Sequence, residues 1–183
     1  MQHKARLRTR DALEQLRLDH EVIRKLLREY DSVRLVEGCG PEQKAEIVDR
    51  LCEALSLNAQ IEEEVFYPGV RPVLDCDARA QAVLWDRTAL RGLIARLDEM
   101  DPADPGYDAM VNDIGDCVLP RMDDVRAILF VAVRGVGVDT ALLGEQMARW
   151  RRAQQQDVTL VGLPPPRKLP VSGWPADCQL TLA

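Results

Sequence analysis

The sequence predicts an all-α protein: an antiparallel, up-down-up-down four-helix bundle with a short additional C-terminal helix and an extended tail. Three observations predict this fold class. Four long segments carry apolar residues at helical spacing, and each ends at a stretch that contains glycine or proline. The connecting loops are short, which makes sequential helices antiparallel neighbours. Aromatic residues are only 4% of the chain, so we expect a core of Leu, Val, Ile and Ala.

The first two predicted helices form one hairpin of the bundle. The first spans about residues 11–36 and ends at the breaker GCGP. The second spans about residues 41–66 and begins with a proline, which suits the first turn of a helix. We expect it to end before Pro68.

The next two predicted helices form the second hairpin. The third spans about residues 77–100 and ends at DPADPG, and the fourth spans about residues 107–134. Pro120 lies inside the fourth helix, where it removes one backbone hydrogen bond and predicts a kink. A shorter fifth helix follows at about residues 139–155.

These helices divide the chain into three parts. Residues 1–10 are a basic segment that we expect to be solvated, and residues 11–155 are the bundle domain. Residues 156–183 hold five of the eleven prolines and predict an extended tail. If a protein partner binds this domain, the tail is the expected contact, with Trp174 as its anchor. The alternative is that the tail packs on its own bundle.

Composition and charge exclude several classes of protein. The formal net charge of −6 disfavours a nucleic-acid partner, since phosphate binding needs a clustered basic face. No apolar run has the length of a membrane span, and no signal peptide is visible, so we expect a cytoplasmic protein that does not bind membranes. The oligomeric state stays open.

Cysteine and histidine chemistry is sparse. The five cysteines include no C-x-x-C pair, which predicts free thiols and no zinc site. The two histidines are His3 and His20, and no Ser-His-Asp or Cys-His arrangement is visible. We therefore do not expect an enzyme.

A polar residue interrupts the apolar face of each bundle helix. Counted from the loop centres, His20 and Asn58 lie at similar levels of the first hairpin, as do Arg87 and Arg121 in the second. Glu62 follows Asn58 by one turn on the same row, where an unpaired carboxylate is costly to bury. Polar side chains that converge from four helices predict a site in the bundle core.

Several stretches together resemble a known family. They are DALEQLRLDHEVIRKLL (11–27), LCEALSLNAQIEEEVFYPGV (51–70), LRGLIARLDEMDPADPGYDA (90–109) and the end of the fourth helix as far as Phe130. Over about residues 11–150 the chain resembles a bacterial hemerythrin-like domain of the HHE cation-binding family. The resemblance implies four helices around a pair of oxygen-bridged iron atoms. It also implies a His in the first helix, a His-x-x-x-Glu pair in the second, a His in the third and a second such pair in the fourth.

Most of the iron ligands that the resemblance implies are replaced in this chain. His20 and Glu62 stand where the first His and the first bridging carboxylate belong. Asn58 occupies the second-helix His position, and the third-helix His falls on Arg87. An arginine has no lone pair to offer a metal. The sequence therefore predicts the bundle without the means to hold a di-iron pair.

The fourth-helix ligand pair is assigned with one residue of uncertainty. Its His maps to Pro120 or Arg121, and its Glu maps to Asp124 or Val125. We predict that Glu62 faces Arg87, Arg121 or both, so that guanidinium charge replaces metal charge through a bidentate pair. Asn58 is expected to join this network and His20 to be a core histidine, whereas Glu63 and Glu64 are expected to be solvated.

The predicted function is a metal-free, vestigial hemerythrin-like module with no cofactor and with a structural, regulatory or partner-binding role. The alternative is an iron-binding sensor or storage protein that responds to oxygen, nitric oxide or redox state. A weaker variant of that alternative is a makeshift divalent-cation site. Its expected ligands are His20, Glu62, Asp86 and Asp124, with Asp123 beside the last.

Overall fold

The computed structural model describes residues 10–36, 40–84 and 87–161, and the side chains among them as far as residue 155. This part of the chain is helical and contains no strand. Its α-helices are α1 (Ala12–Arg34), α2 (Pro41–Ile61), α3 (Tyr67–Gly69), α4 (Arg71–Cys76), α5 (Ala78–Ala82), α6 (Thr88–Glu99), α7 (Tyr107–Asp124), α8 (Phe130–Val136) and α9 (Thr140–Val161). Two π-helical segments, Glu62–Phe66 and Val125–Leu129, continue α2 and α7. The predicted fold class is confirmed: α1, α2, α6 and α7 form the bundle.

Helix α1 begins and pairs as the sequence predicts. The Asp11 side chain caps it by accepting a hydrogen bond of 2.9 Å from the Glu14 backbone N–H. Helix α2 returns antiparallel beside it, with Arg50 donating to Glu29 across the two helices at 3.1 Å. Near the far end of α1, the Tyr30 hydroxyl donates to Asp108 at 2.6 Å and ties α1 to the start of α7.

Both helices that should carry a His-x-x-x-Glu pair contain a π-helical turn. Such turns bond residue i to i+5 and are frequent at functional sites. Helix α7 keeps its α-helical form through Pro120, and the π-helical turn begins only at Val125. The kink expected at Pro120 stays a prediction.

The prediction of one continuous third helix over residues 77–100 was wrong. The Asp77 side chain caps the short helix α5, which ends at Ala82. The backbone N–H of Val83 and of Leu84 each bond a carbonyl three residues back, which tightens and closes the last turn. Helix α6 starts one residue after Arg87, so Arg87 lies at a helix start instead of within a helix.

Helix α9 is longer than the short C-terminal helix that the sequence predicts. It extends to Val161 instead of ending near residue 155, because the first breaker after that point is Gly162. It therefore includes the first residues assigned to the tail, and the rest of the predicted tail, like the basic segment 1–9, lies outside the described residues. Helix α9 runs beside α1, where the Gln15 side chain donates to the Gly144 carbonyl at 2.8 Å.

The buried apolar residues form two clusters with a polar layer between them. Leu16 belongs to one cluster and Ile23 to the other, and His20 lies between them on α1. The described residues include four buried polar or charged side chains. These are His20, Asn58, Glu62 and Arg87. The sequence prediction that the polar breaks share one level is confirmed for these residues.

Two further expectations concern the thiols and the membrane. Cys52, Cys76 and Cys117 are free, and Cys52 is buried as a small core residue, which raises the pKa of its thiol to about 12. None of the described helices combines the length and the apolar character that a membrane span requires.

Candidate functional site

Glu62 is the centre of the buried polar layer, and both of its carboxylate oxygens have two partners. Oε1 lies 3.3 Å from His20 Nε2 and accepts a hydrogen bond of 3.2 Å from Asn58 Nδ2. Oε2 accepts a hydrogen bond of 2.9 Å from the Tyr67 hydroxyl and another from the Arg87 guanidinium. The Glu62 side chain is only 4% exposed. Protein groups therefore satisfy the hydrogen bonding of its carboxylate.

Arg87 places its guanidinium between two carboxylates. One terminal nitrogen donates to Glu62, and the other donates to Glu63 Oε1 at 3.1 Å. The expected bidentate pair with Glu62 alone was therefore wrong, because the two arms of the fork are shared between adjacent acids. Glu63 was expected to be solvated, and its side chain is 29% exposed, but it also accepts from Arg91 at 2.9 and 3.0 Å and so belongs to the network. Glu64 is exposed and accepts from the Trp150 indole N–H at 2.8 Å.

Tyr67 is a member of this network that sequence reasoning missed. Its hydroxyl donates to Glu62 and accepts from Arg87 at 3.1 Å, and its ring lies against the Arg87 guanidinium at 5.3 Å from centroid to Cζ. Tyr67 lies five residues after Glu62, and a π-helical turn brings residues at this spacing onto the same face. This spacing was the feature of the sequence that could have identified Tyr67.

The surroundings favour the charged form of both partners. Burial alone raises the pKa of Glu62, but the hydrogen bond from His20 and the charge of Arg87 outweigh burial and hold that pKa below its ordinary value. Burial lowers the pKa of Arg87, and the charge of Glu62 outweighs this and raises it. The stability contributed by ionised Glu62 is therefore present above its ordinary pKa of about 4.3 and is lost as the pH falls through the depressed value.

A cavity of about 20 Å³ lies beside these groups, with room for about one water molecule. From the fourth bundle helix it is lined by Val118, Met122 and Val125, which are all buried, together with Arg121. The fourth helix therefore presents mainly apolar side chains to the site. Neither Arg121 nor Asp124 replaces the ligand pair that the family carries there.

Of the two arginines predicted to face Glu62, Arg87 does so and Arg121 does not. The Arg121 guanidinium lies 3.9 Å from Asp124, and the side chains of these two residues are 44% and 48% exposed. Asp123 is also outside the layer, paired with Arg24 at 2.7 Å. The buried row of this helix passes through Met122 and Val125, which turns the intervening charges outward. Asp86, the remaining acid of the weak divalent site, lies outside the described residues.

These side chains do not fit the iron pair that the family name implies. In the described part of the chain, no three His, Cys, Asp or Glu side chains are grouped so as to hold a metal ion. Iron needs imidazole and carboxylate lone pairs, but those of Glu62 already accept hydrogen bonds from four donors. Arg87 supplies a fixed positive charge at the same carboxylate, and this charge repels a cation.

Removing the Tyr67 hydroxyl tests how much the network depends on it. We expect Tyr67→Phe to lower the free energy of unfolding by about 1–2 kcal/mol, because Glu62 loses a donor and Arg87 an acceptor in a buried site. Urea denaturation measures the change, with the exposed pair Arg71–Asp75 as a reference through Asp75→Asn. An equal loss in both variants would show that the hydroxyl contributes nothing specific.

The fold and the site define a hemerythrin-type four-helix protein in which protein side chains satisfy the central carboxylate. The model of the hemerythrin HHE cation binding domain matches residues 11–133. The chain belongs to this family. The match ends before α9, so that helix is an addition to the domain that the family model describes.

Two known proteins are similar to this chain. The chain is similar to the crystal structure of a hemerythrin HHE cation binding domain-containing protein, the Rv2633c homolog from Mycobacterium kansasii, with a TM-score of 0.63 and 21% identity. That likeness covers 84% of this chain and 95% of the other, and it shows the fold. The chain is also 24% identical over 135 residues to a DNA nickase from Nostoc sp., a match that covers 74% of this chain and 35% of the nickase. The chain thus spans about a third of that protein's length.

Proposed function

We propose that this protein is a metal-free member of the hemerythrin family, a non-enzymatic helical module with a structural, regulatory or partner-binding role. The observation that carries the proposal is the position of Arg87 between Glu62 and Glu63. A guanidinium there supplies the positive charge that a buried carboxylate needs, and it does so without a cofactor. The bundle thereby keeps its central polar layer.

The shortage of groups that could coordinate iron in the polar layer also supports the proposal. His20 is the one imidazole among the four buried polar residues, whereas the family's iron pair draws on several. The other donors are an amide at Asn58 and a phenol at Tyr67, and both already hydrogen-bond Glu62. A module of this kind acts through the contacts that its surface makes, and not through a redox centre.

An iron-binding sensor or storage protein is the second candidate. One observation favours it: His20 and Glu62 still lie 3.3 Å apart, as two retained positions of the family's ligand set. Against it, Glu62 is also bound by Arg87, which cannot be deprotonated at ordinary pH. The metal-free proposal therefore stands first.

The similarity to a DNA nickase does not lead us to propose nucleic-acid cleavage. The match covers 35% of that protein, and nothing in it assigns the cleavage activity to the residues that match. The net charge of −6 also disfavours binding to a phosphate backbone.

Metal content tests the proposed function directly. We expect the protein, purified under mild conditions and then incubated with ferrous iron without oxygen, to hold well below one iron atom per chain after desalting. Glu62→Gln should hold the same small amount, since the carboxylate is not a ligand. About two iron atoms per chain in the unmodified protein, lost in Glu62→Gln, would establish the iron-binding alternative.

A further inference from the structure

An open groove lies between the C-terminal end of α1 and the N-terminal part of α2. Its volume is about 310 Å³, and Val36 at its edge is 61% exposed. Its floor includes Ile47, which is 6% exposed. The groove is lined by Glu29, Val33, Val36, Gln43, Glu46, Ile47 and Arg50. It is distant along the bundle from the polar layer, because Val36 lies more than four helical turns after His20.

Helix α9 leads the chain towards this groove. It runs parallel to α1, with Gly144 beside Gln15 and Arg151 beside Asp19, so that contacting residues differ in number by 129 and 132. Both helices rise equally per residue. If the same numbering differences hold to the end of α9, then Val161, its last residue, lies level with residues 29–32 of α1. Glu29 and Val33, which bracket that level, line the groove.

The 22 residues that follow Val161 have a composition that suits the groove. They begin GLPPPRKLPVSGW, a proline-rich stretch that favours the extended polyproline conformation and loses little entropy on binding. Leu163, Leu169 and Val171 supply apolar side chains. Arg167 and Lys168 supply positive charge, and Glu46 at the groove has no ion-pair partner among the described residues.

We infer that this groove binds the chain's own C-terminal segment, residues 162–183. The tether begins at the level of the groove, so the effective concentration of the segment there is of the order of millimolar or higher. Even a weak apolar and charge-complementary contact then keeps the groove covered. The bound segment covers the groove near the connection between α1 and α2 and removes Val36 from water.

Hydrogen–deuterium exchange of the full-length protein tests this inference. We expect amides within residues 162–174 to exchange about tenfold more slowly than in a free peptide of the same sequence. Val36→Lys should abolish that protection, because it replaces an apolar contact with a charge that repels Arg167 and Lys168. Val36 is largely exposed, so the variant should keep its fold.

The matched control is Val22→Lys, which changes the same residue type at an exposed position of α1. Val22 is 51% exposed and does not line the groove, so protection of the tail should stay unchanged. Free-peptide exchange rates in the unmodified protein, or equal protection in the two variants, would overturn the inference. Protection that rises with protein concentration would also overturn it and would assign the groove to a second copy of the chain.

Discussion

Arg87→Ala is expected to lower the free energy of unfolding by about 3 kcal/mol or more. The Arg87 and Glu62 side chains are 5% and 4% exposed, so removing the guanidinium leaves a buried carboxylate without its compensating charge. Glu63 loses one of its two arginine partners in the same variant, although Arg91 still binds it. Urea denaturation monitored by circular dichroism measures the loss.

Arg121→Ala is the matched control for that variant. Arg121 also contributes to the wall of the cavity, but its guanidinium is 3.9 Å from Asp124 and its side chain is 44% exposed. Removing an exposed ion pair costs less than about 0.5–1 kcal/mol. Equal losses in Arg87→Ala and Arg121→Ala would show that burial of the charge pair is not what stabilises the layer.

A double-mutant cycle separates the pair from its surroundings. Glu62→Gln combined with Arg87→Met removes both charges together. The loss of stability in this double variant should be clearly smaller than the sum of the losses in Glu62→Gln alone and in Arg87→Met alone. The sign of this non-additivity is the decisive quantity. Additive losses would mean that Glu62 is stabilised mainly by His20, Asn58 and Tyr67, and charge replacement by Arg87 would have to be abandoned.

The sequence was sufficient to predict the polar layer on three of the four bundle elements. Helical periodicity fixes which face a residue occupies, and the short loops fix the level, so His20, Asn58 and Glu62 meet as expected. Arg87 also reaches the layer, although it lies just before a helix. A long, flexible side chain tolerates an error in backbone assignment that a short one does not.

The fourth helix shows why the remaining part of the site could not be predicted. One residue of register turns a helical side chain by about 100°, which is enough to exchange a buried position for an exposed one. The register assigned from the resemblance left Pro120 or Arg121 open for the first position and Asp124 or Val125 for the second, and of these only Val125 lies on the buried row, which also contains Met122. A buried apolar residue does not interrupt the apolar pattern, so the pattern alone could not choose between these positions.

The π-helical turn after α2 accounts for the other two misses. A pattern at 3.6 residues per turn puts Glu63 off the buried row and gives Tyr67 no part in the site. Bonding from i to i+5 puts more residues in the turn and changes the faces of those that follow Glu62. The wider turn is not visible in the apolar pattern, so neither the shared guanidinium nor the Tyr67 hydroxyl could be expected.

Gly144→Ala is expected to destabilise the protein by about 2 kcal/mol, by forcing α9 away from α1. A Cβ at this position would lie 2.5 Å from the Arg10 carbonyl oxygen and 2.8 Å from the Ala12 backbone nitrogen. Both are backbone atoms, which cannot rotate out of the way as a side chain can. The same helix contributes Leu143 and Met147 to the core, so a shift of α9 also loosens their packing.

Gly92→Ala is the control that separates this close approach from the general effect of alanine in a helix. Gly92 lies in the exposed interior of α6, and an added Cβ would meet nothing within 4 Å. Alanine there should stabilise the helix by about 0.5–1 kcal/mol, through its better helix propensity. Because a propensity gain of the same sign applies at Gly144, a net loss there is a lower limit on the cost of the steric displacement. If both variants gain stability, α9 does not pack against the start of α1 as closely as the backbone contact at Gly144 requires.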